Sequence, residues 1–505
     1  MAIDLPLPLP ALLALAFGFY VLTRRIAAYS RLSHIPGPRW HAWSRLPLAW
    51  TYLSPTQHLE IYGLHRKYGP LVRLGPNMVL CSDARVSAMM NAPGSKYIRS
   101  DWFSTFKLKP RCDNIFSVRD EKKHSDLRRK MGLGYAGKEV PGLEGRIDVH
   151  VQNWVEMVRR KYVVGKEGVR PAMDLAQQAQ FFTLDVISDL AFNAPFGDIP
   201  AEEDKFAYVK VSQEAMSSIN MLGIFPHVYR WIEQSRLIDL IAPSSKDKTG
   251  MGPIVGIAKE QVAKRFENPE LRNEMDMLGS FLRHGLSQEE AESETVLQIL
   301  AGSDTAATAI RTIFLYLLTN PRILNTLRAE IDNAVREGKC SAPVTDVEAR
   351  AMPYLQGVIK EGLRLHPPVV GLALKIVPPG GDTVCGKFLP GGTKLGPCWW
   401  AFGRNEEVFG PDIEVFRPER WIEAAAAGDP EKLTLMERAV DSIFSSGRFK
   451  CLGITVALVE LNKVFVEMVR RFEMEVVDPL RPMESICNSV FLQHKFWVRV
   501  MEREM

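Results

Sequence analysis

The chain lacks the cysteine spacings that build disulfide frameworks or zinc sites. Its seven cysteines (Cys81, Cys112, Cys340, Cys385, Cys398, Cys451 and Cys487) are odd in number, and no two are spaced Cys-x-x-Cys. That pattern points to a reduced compartment. Ten histidines include no His-Glu-x-x-His, so a histidine metal site has no support. Neither sign of charge is in large excess: the formal net charge is +4, which gives no case for nucleic acid as a partner. There is no internal repeat, and no low-complexity tract beyond Ala424–Ala427. A nucleotide-binding loop is missing too. Gly250-Met-Gly252-Pro-Ile-Val-Gly256 has no clear strand before it and no evident acidic ribose partner. It reads as a loop before a helix over Ile254–Phe266. The chain is therefore not expected to bind its own reductant.

What is present starts at the N-terminus. Leu5 to Leu22 carries no charge, and Arg24, Arg25 and Arg31 follow. Prolines at 6, 8 and 10 place the start of a clean helix near Ala11. That span is short against the ~20 residues a bilayer needs, and it lengthens through Ile26–Tyr29 if the arginines snorkel. A cleaved signal peptide is the alternative; basic residues after the apolar run, not before it, argue against it. Basic flanks there predict a cytosolic remainder. His34-Ile-Pro36-Gly-Pro38-Arg-Trp40 follows as a stiff elbow. The expected organisation is a membrane anchor over residues 1–30 and a globule over 31–505. Length alone suggests about three domains at ~150 residues each, and it suffices for a large core and a buried cofactor.

Leu71–Leu74 and Met78–Ser82 flank Gly75-Pro-Asn77 and predict a β-hairpin. Helical patterns dominate from Glu121 to about Arg364. Strand-like sequence runs from Val377 to Leu395, an irregular stretch covers Trp399–Trp421, and an apolar-alternating tail spans Val490–Val500. The balance predicts a mainly α fold with a small β domain.

Three segments carry chemistry. Cys451 sits in Phe444-Ser-Ser-Gly447-Arg-Phe-Lys-Cys451-Leu-Gly453, before an amphipathic helix bearing Leu458, Leu461, Phe465, Met468 and Phe472. Free N–H groups and the helix dipole favour a thiolate there, and a thiolate can ligate a metal. Ser287–Thr319 opens with a Ser287/Glu290 capping box and predicts a helix of ~32 residues, or ~48 Å. Its middle reads Ala301-Gly302-Ser303-Asp304-Thr305. Small residues there admit something large and flat, and Asp304-Thr305 could relay protons; the alternative is a kinked core helix with Thr305 bonding its own i−4 carbonyl. Third, Glu361 and Arg364 share a helix face before Pro367-Pro368. The spacing alone says little, since Glu-x-x-Arg also occurs at 156/159, 233/236, 414/417 and 467/470. Apolar neighbours and a further arginine in Phe416-Arg-Pro418-Glu-Arg420-Trp421 single this one out, as a carboxylate held between two guanidiniums.

Ala301-Gly-Ser-Asp-Thr305, Glu361-x-x-Arg364, Pro418-Glu-Arg420-Trp421 and Phe444-x-x-Gly447-x-x-x-Cys451-x-Gly453, in this order, resemble the cytochrome P-450 superfamily of haem-thiolate monooxygenases across essentially the full chain. The anchor and Pro-Gly-Pro elbow are similar to microsomal members. The Glu361 and Arg420 segments resemble fungal members such as pisatin demethylase, which often serve secondary metabolism.

The resemblance implies haem b (iron protoporphyrin IX) with Cys451 as the axial ligand of its iron. Asp304 and Thr305 would deliver protons, and Ala301 and Gly302 would lie over the haem. Glu361, Arg364 and Arg420 would form a structural triad. Phe444, Gly447, Arg448 and Gly453 would shape the cofactor loop, and His124 and Arg128 would contact a propionate. Two departures stand out: Ser445 replaces a usual glycine, and Phe449 stands where an arginine usually holds a propionate. Implied substrate-facing residues are Phe106, Leu297, Val370 and Leu372, with the rest of Trp102–Phe106, Phe116, Ala301, Val369 and Phe491. A basic face of Lys122, Lys123, Arg128, Arg129, Lys130, Arg448 and Lys450 would receive an acidic NADPH-cytochrome P-450 reductase, or is simply solvated. The implied reaction uses dioxygen and NADPH-derived electrons to oxidise an apolar small molecule at the endoplasmic reticulum membrane. A haem-thiolate isomerase or dehydratase, and a haem-binding protein without turnover, stay open as rivals.

Overall fold

The computed structural model describes residues 9–164, 171–247 and 251–504. Helices dominate, and small sheets gather at the edges, in agreement with the mainly α expectation. The long helix runs Gln288–Leu318 with the Ser287/Glu290 capping box in place. At 31 residues it spans about 46 Å. Against it lies Leu175–Phe192, buried on nearly every side although Gln178, Gln180, Thr183, Asp185 and Ser188 are among its buried residues. These two helices, together with Ile454–Arg471, form the centre of the main apolar core.

The expected hairpin pairs Leu71–Gly75 with Met78–Cys81. It is one side of a five-stranded sheet that continues through Lys394–Pro397, Lys375–Ile376 and Ile98–Arg99. The Val377–Leu395 region thus breaks into short strands, with Asp382–Val384 and Lys387–Leu389 as a separate hairpin. Two details differ from expectation. Met173–Asp174 is a strand inside the helical stretch, because the C-terminal strand Trp497–Glu502 supplies an edge for it. The stretch Trp399–Trp421 is not irregular throughout: Trp399–Phe402 and Glu406–Phe409 are short helices, the second capped by the Asn405 side chain. Gly250 lies outside the described residues; Gly252 and Gly256 belong to the helix Gly252–Glu267.

The N-terminal helix runs Leu9–Arg31, starting before Ala11 because Pro10 is tolerated in a first turn. It is long and apolar enough to cross a membrane. Its C-terminal end is not loose. Arg73, on the buried strand Leu71–Gly75, donates Nη1 to Tyr29 O and Nη2 to Ala28 O, both at 2.9 Å. Arg31 donates to Gly391 O at 2.7 Å, and Tyr29 stacks on Trp43 at 4.7 Å. His34 Nε2 lies 2.7 Å from Phe388 O.

Candidate functional site

The Cys451 loop is closed by one backbone bond and one glycine. Cys451 N–H donates to Phe444 O at 2.7 Å. Gly447 has φ of +55°, and a Cβ there would come within 2.2 Å of Asn91 O. Only glycine fits both constraints. Asn91 Nδ2 reaches Ser445 Oγ at 3.2 Å and Ser446 Oγ at 3.3 Å, so both serines tie the loop to the end of the helix Ala84–Asn91.

Cys451 opens onto a cavity of about 260 Å³, close to the lower end of the roughly 300–1,000 Å³ of small-molecule sites. The opposite wall is the long helix: Leu297, Gln298, Ala301, Gly302 and Thr305. Cys451 is exposed to the cavity, but the protein packed around it pushes its thiol up by desolvation, although the N–H groups of Gly453 and Ile454 and the Arg128 guanidinium oppose the shift. The helix start alone therefore does not ionise this thiol; a metal cation does so outright.

Thr305 Oγ1 donates to Ala301 O at 2.9 Å, the back-bonded alternative, and still lines the cavity. Asp304 does not. It is buried against the neighbouring helices with Gln180, Tyr208 and Ser212 as hydrogen-bond partners, and burial pushes its carboxyl up to about 6, opposed by Arg311. The pair expected to act together faces two directions. Gly302 is explained by packing: a Cβ there would meet Ile187 Cγ1 at 2.7 Å.

The cavity edge beside the cysteine loop is cationic. Phe449 is its hub. Lys375 Nζ lies 3.9 Å, Arg99 4.4 Å and Arg448 5.2 Å from the ring centroid, and the His124 ring packs on it at 4.7 Å. Arg99 and Lys375 are directly opposed across adjacent strands, a repulsive placement. Burial, then Arg99 and Arg448, push the Lys375 ammonium down to about 6. Burial, then the Arg99 and Arg128 charges, push His124 down to about 3. Glu121 is the acid that offsets Arg99 and Lys375, and it is already bonded to Arg448 Nη1 at 2.6 Å. Arg99 Nε is buried with no hydrogen-bond partner. Crowded cations and an orphaned donor at the cavity edge fit a group with anionic substituents.

Arg448 itself turns away. It donates to Glu121 and to Ser95 O at 2.8 Å and is absent from the cavity wall, as is Gly447. Gly447 makes the turn, and Arg448 fastens the loop, so both shape it from outside the cavity wall. Phe444, Gly453, His124 and Arg128 do reach the wall, and Arg128 Nη1 donates to Lys450 O at 2.6 Å.

Glu361 accepts from Arg364 Nε at 2.9 Å and Nη2 at 2.8 Å, from Arg420 Nε at 2.8 Å, from Trp421 Nε1 at 3.0 Å and from Arg417 N–H at 3.0 Å. The structure thus brings Glu361, Arg364 and Arg420 together, fully buried. Glu467-x-x-Arg470 is also buried and paired, at 2.6 Å, which apolar context had not singled out.

Of the substrate-facing expectations, Leu297, Phe116, Val369 and Ala301 line the cavity. Phe106, Val370 and Leu372 do not. Phe106 packs on Trp102 and Phe116 behind the wall, at 4.6 and 5.0 Å. The Val370 N–H is tied to Ser489 O at 2.7 Å, and Leu372 is 1% exposed in the sheet core. Phe491 packs against His366 at 4.1 Å. Residues that sequence reasoning missed are Arg99, Lys375 and Glu460. Glu460 lines the cavity with Oε2 unpartnered, and burial pushes its carboxyl far up. A register of nine after Cys451 was the available signal for Glu460; two-residue strands left none for Arg99 and Lys375. The basic face is partly neutralised by Lys123–Asp113, Arg129–Asp126, Lys130–Asp126 and Arg448–Glu121 pairs, with Lys122 and Lys450 exposed.

A loop-held thiol facing a cavity with cations at its edge fits a haem-thiolate class of protein. Comparison with known families makes this specific: the cytochrome P450 model matches residues 35–496, and the chain belongs to that family of monooxygenases. Similar proteins are cytochrome P450 monooxygenase ABA1 of Pyricularia oryzae, 38% identical over 98% of this chain and 97% of the relative, and aba1 of Botryotinia fuckeliana, 36% identical over 94% and 92%. Cytochrome P450 monooxygenase abl1 of Leptosphaeria maculans is 33% identical over 92% and 82%.

Proposed function

We propose that the chain is a membrane-anchored fungal monooxygenase of secondary metabolism that oxidises an apolar small molecule, with electrons passed from NADPH by a separate reductase. The observation that carries this reading is the cavity itself: Cys451 on one side, a mostly apolar wall with Thr305 on the other, and a cationic edge. Cys451 would hold the iron of haem b through its thiolate. Arg99, His124 and Arg128 are the proposed propionate partners, and an anion there would favour the charged form of Lys375 behind Phe449. Bound haem-thiolate supplies dioxygen activation. The chain's own part is positional: Ala301 and Gly302 keep the wall close, and Thr305 Oγ1 can hold a proton over the cavity. Asp304 is at most a supplier from behind the helix, since its carboxyl faces Tyr208 and Ser212.

ABA1-type relatives and the likeness to pisatin demethylase both favour tailoring of a fungal small molecule. The N-terminal helix supports attachment to the endoplasmic reticulum membrane, and exposed Lys122 and Lys450 support docking of an acidic reductase. The discriminating experiment is reconstitution with NADPH-cytochrome P450 reductase. Substrate-dependent, stoichiometric consumption of NADPH and dioxygen is expected. Product formation without either would establish an isomerase or dehydratase, and neither product nor oxygen uptake across a spectral-shift substrate screen would leave binding alone. Cys451→Ser is expected to abolish the long-wavelength Soret band of the reduced carbon monoxide complex; its survival refutes the ligand assignment.

A further inference from the structure

Away from the cavity, two thiols face each other across a seam of the β region. Cys81 closes the strand Met78–Cys81 and is 1% exposed. Cys385 occupies the turn between Asp382–Val384 and Lys387–Leu389 and is half-buried. Their sulfurs are 3.8 Å apart. A disulfide requires about 2.05 Å, so small side-chain rotations separate contact from bond. Cys385 has φ of +46°, a conformation non-glycine residues rarely adopt, so the turn holds this thiol against the strand despite strain. The Asp83 N–H lies 3.4 Å from the Cys81 sulfur. Hydrogen bonding to Cys81, helped by the Arg85 guanidinium, holds the Cys385 thiol below the ordinary cysteine value, while burial and Asp83 oppose this. No other pair of cysteine sulfurs is in contact among the described residues.

We propose that Cys81 and Cys385 form a peroxide-responsive pair that closes reversibly to a disulfide. The half-exposed Cys385 thiolate attacks one peroxide oxygen; the O–O bond breaks, and with one proton taken up a sulfenic acid and water result. The Cys81 sulfur then attacks the Cys385 sulfur, the S–O bond breaks, and its thiol proton leaves with the oxygen as a second water. Two thiols and hydrogen peroxide give one disulfide and two waters, and the two electrons come from sulfur. An enzyme that reduces dioxygen stands close to a source of peroxide, and cytosolic thiols reverse the bond.

The seam concerned is a junction. The hairpin bearing Cys385 accepts the Tyr97 hydroxyl on Asp382 Oδ2 at 2.7 Å and meets His34 through Phe388 O. The disulfide fastens this hairpin to the main sheet. It calls for no change at Cys451, because neither thiol lines the cavity.

The test uses the full-length chain in membranes, reduced, freed of reductant and exposed to increasing hydrogen peroxide. Thiols are then alkylated in acidic denaturant, and the unreduced digest is mapped by mass spectrometry. A linked Cys81–Cys385 peptide is expected to become the main form of both residues and to vanish on addition of dithiothreitol. Cys385→Ser is expected to leave Cys81 alkylated at every peroxide dose while retaining the reduced carbon monoxide spectrum. Two alkylated thiols throughout, Cys385 driven alone to sulfinic or sulfonic acid, or either cysteine linked elsewhere would each overturn the proposal.

Discussion

Glu361→Gln isolates the most heavily bonded carboxylate of the site. The native side chain receives five N–H donors, four of them from side chains and three of those from two arginines. Glutamine keeps the shape but removes the charge, and its amide nitrogen must face donors. Breaking a buried ion pair by removing one partner costs about 3–5 kcal/mol. Unfolding entropy near 2.1 cal/mol/K per residue gives roughly 1 kcal/mol/K for a chain this long. The expected fall in Tm is therefore about 3–5 °C, followed by circular dichroism. Glu502→Gln is the matched control, because Glu502 pairs with Arg159 at 2.7 Å while both side chains are over 40% exposed. Exposed pairs contribute about 0–1 kcal/mol, so that variant should shift Tm by less than about 1 °C. Equal shifts, or a Glu361→Gln shift below the control, would refute the argument that burial and the number of donors set the energy.

Gly302→Ala places a methyl against Ile187 and should destabilise by about 1–3 kcal/mol in urea unfolding; Ile187→Ala in the same chain should relieve part of the loss. Glu294 is buried, and its carboxyl is pushed up to about 8, by burial first. Its folded state binds the proton more tightly than the unfolded chain, so its contribution to stability is present below about 4.5 and is lost as pH rises toward about 8. Glu294→Gln should remove that decline, read as the difference between variant and native unfolding free energies from pH 5 to 8; parallel profiles would refute it. Deleting residues 1–30 should move the protein from membranes to the soluble fraction, but it also removes the carbonyls of Ala28 and Tyr29 that Arg73 uses. Deleting residues 1–22 keeps both and should leave a more stable soluble chain, by about 1–3 kcal/mol.

The Cys451 loop, the long helix and Glu361 with its arginines were legible because each is a contiguous motif whose spacing states its geometry. Asp304 and Thr305 face different directions for a reason the sequence itself contains. Successive helical residues are about 100° apart, so one neighbour on the cavity wall places the next toward the adjacent helix. Arg99 and Lys375 were illegible: their strands are two residues long, and only the closed sheet sets them opposite each other. Glu467 shows the limit of spacing in the other direction, since its pair with Arg470 matched the background pattern and proved buried.

The cations around Phe449 make folding and ligand capture one process. In the unfolded chain Arg99, Arg128 and Lys375 are far apart and hydrated, so their repulsion belongs to the folded state alone. An acidic ligand at that edge relieves it only after the strands have paired, and the relief adds to the ligand's apparent stabilisation of the fold. Salt offers a weaker substitute by screening. The chain without its cofactor should therefore gain stability with ionic strength, and the loaded chain should be nearly indifferent to it. With haem placed as proposed, cofactor supply would act as a counter-charge that sets how much of the newly made protein persists.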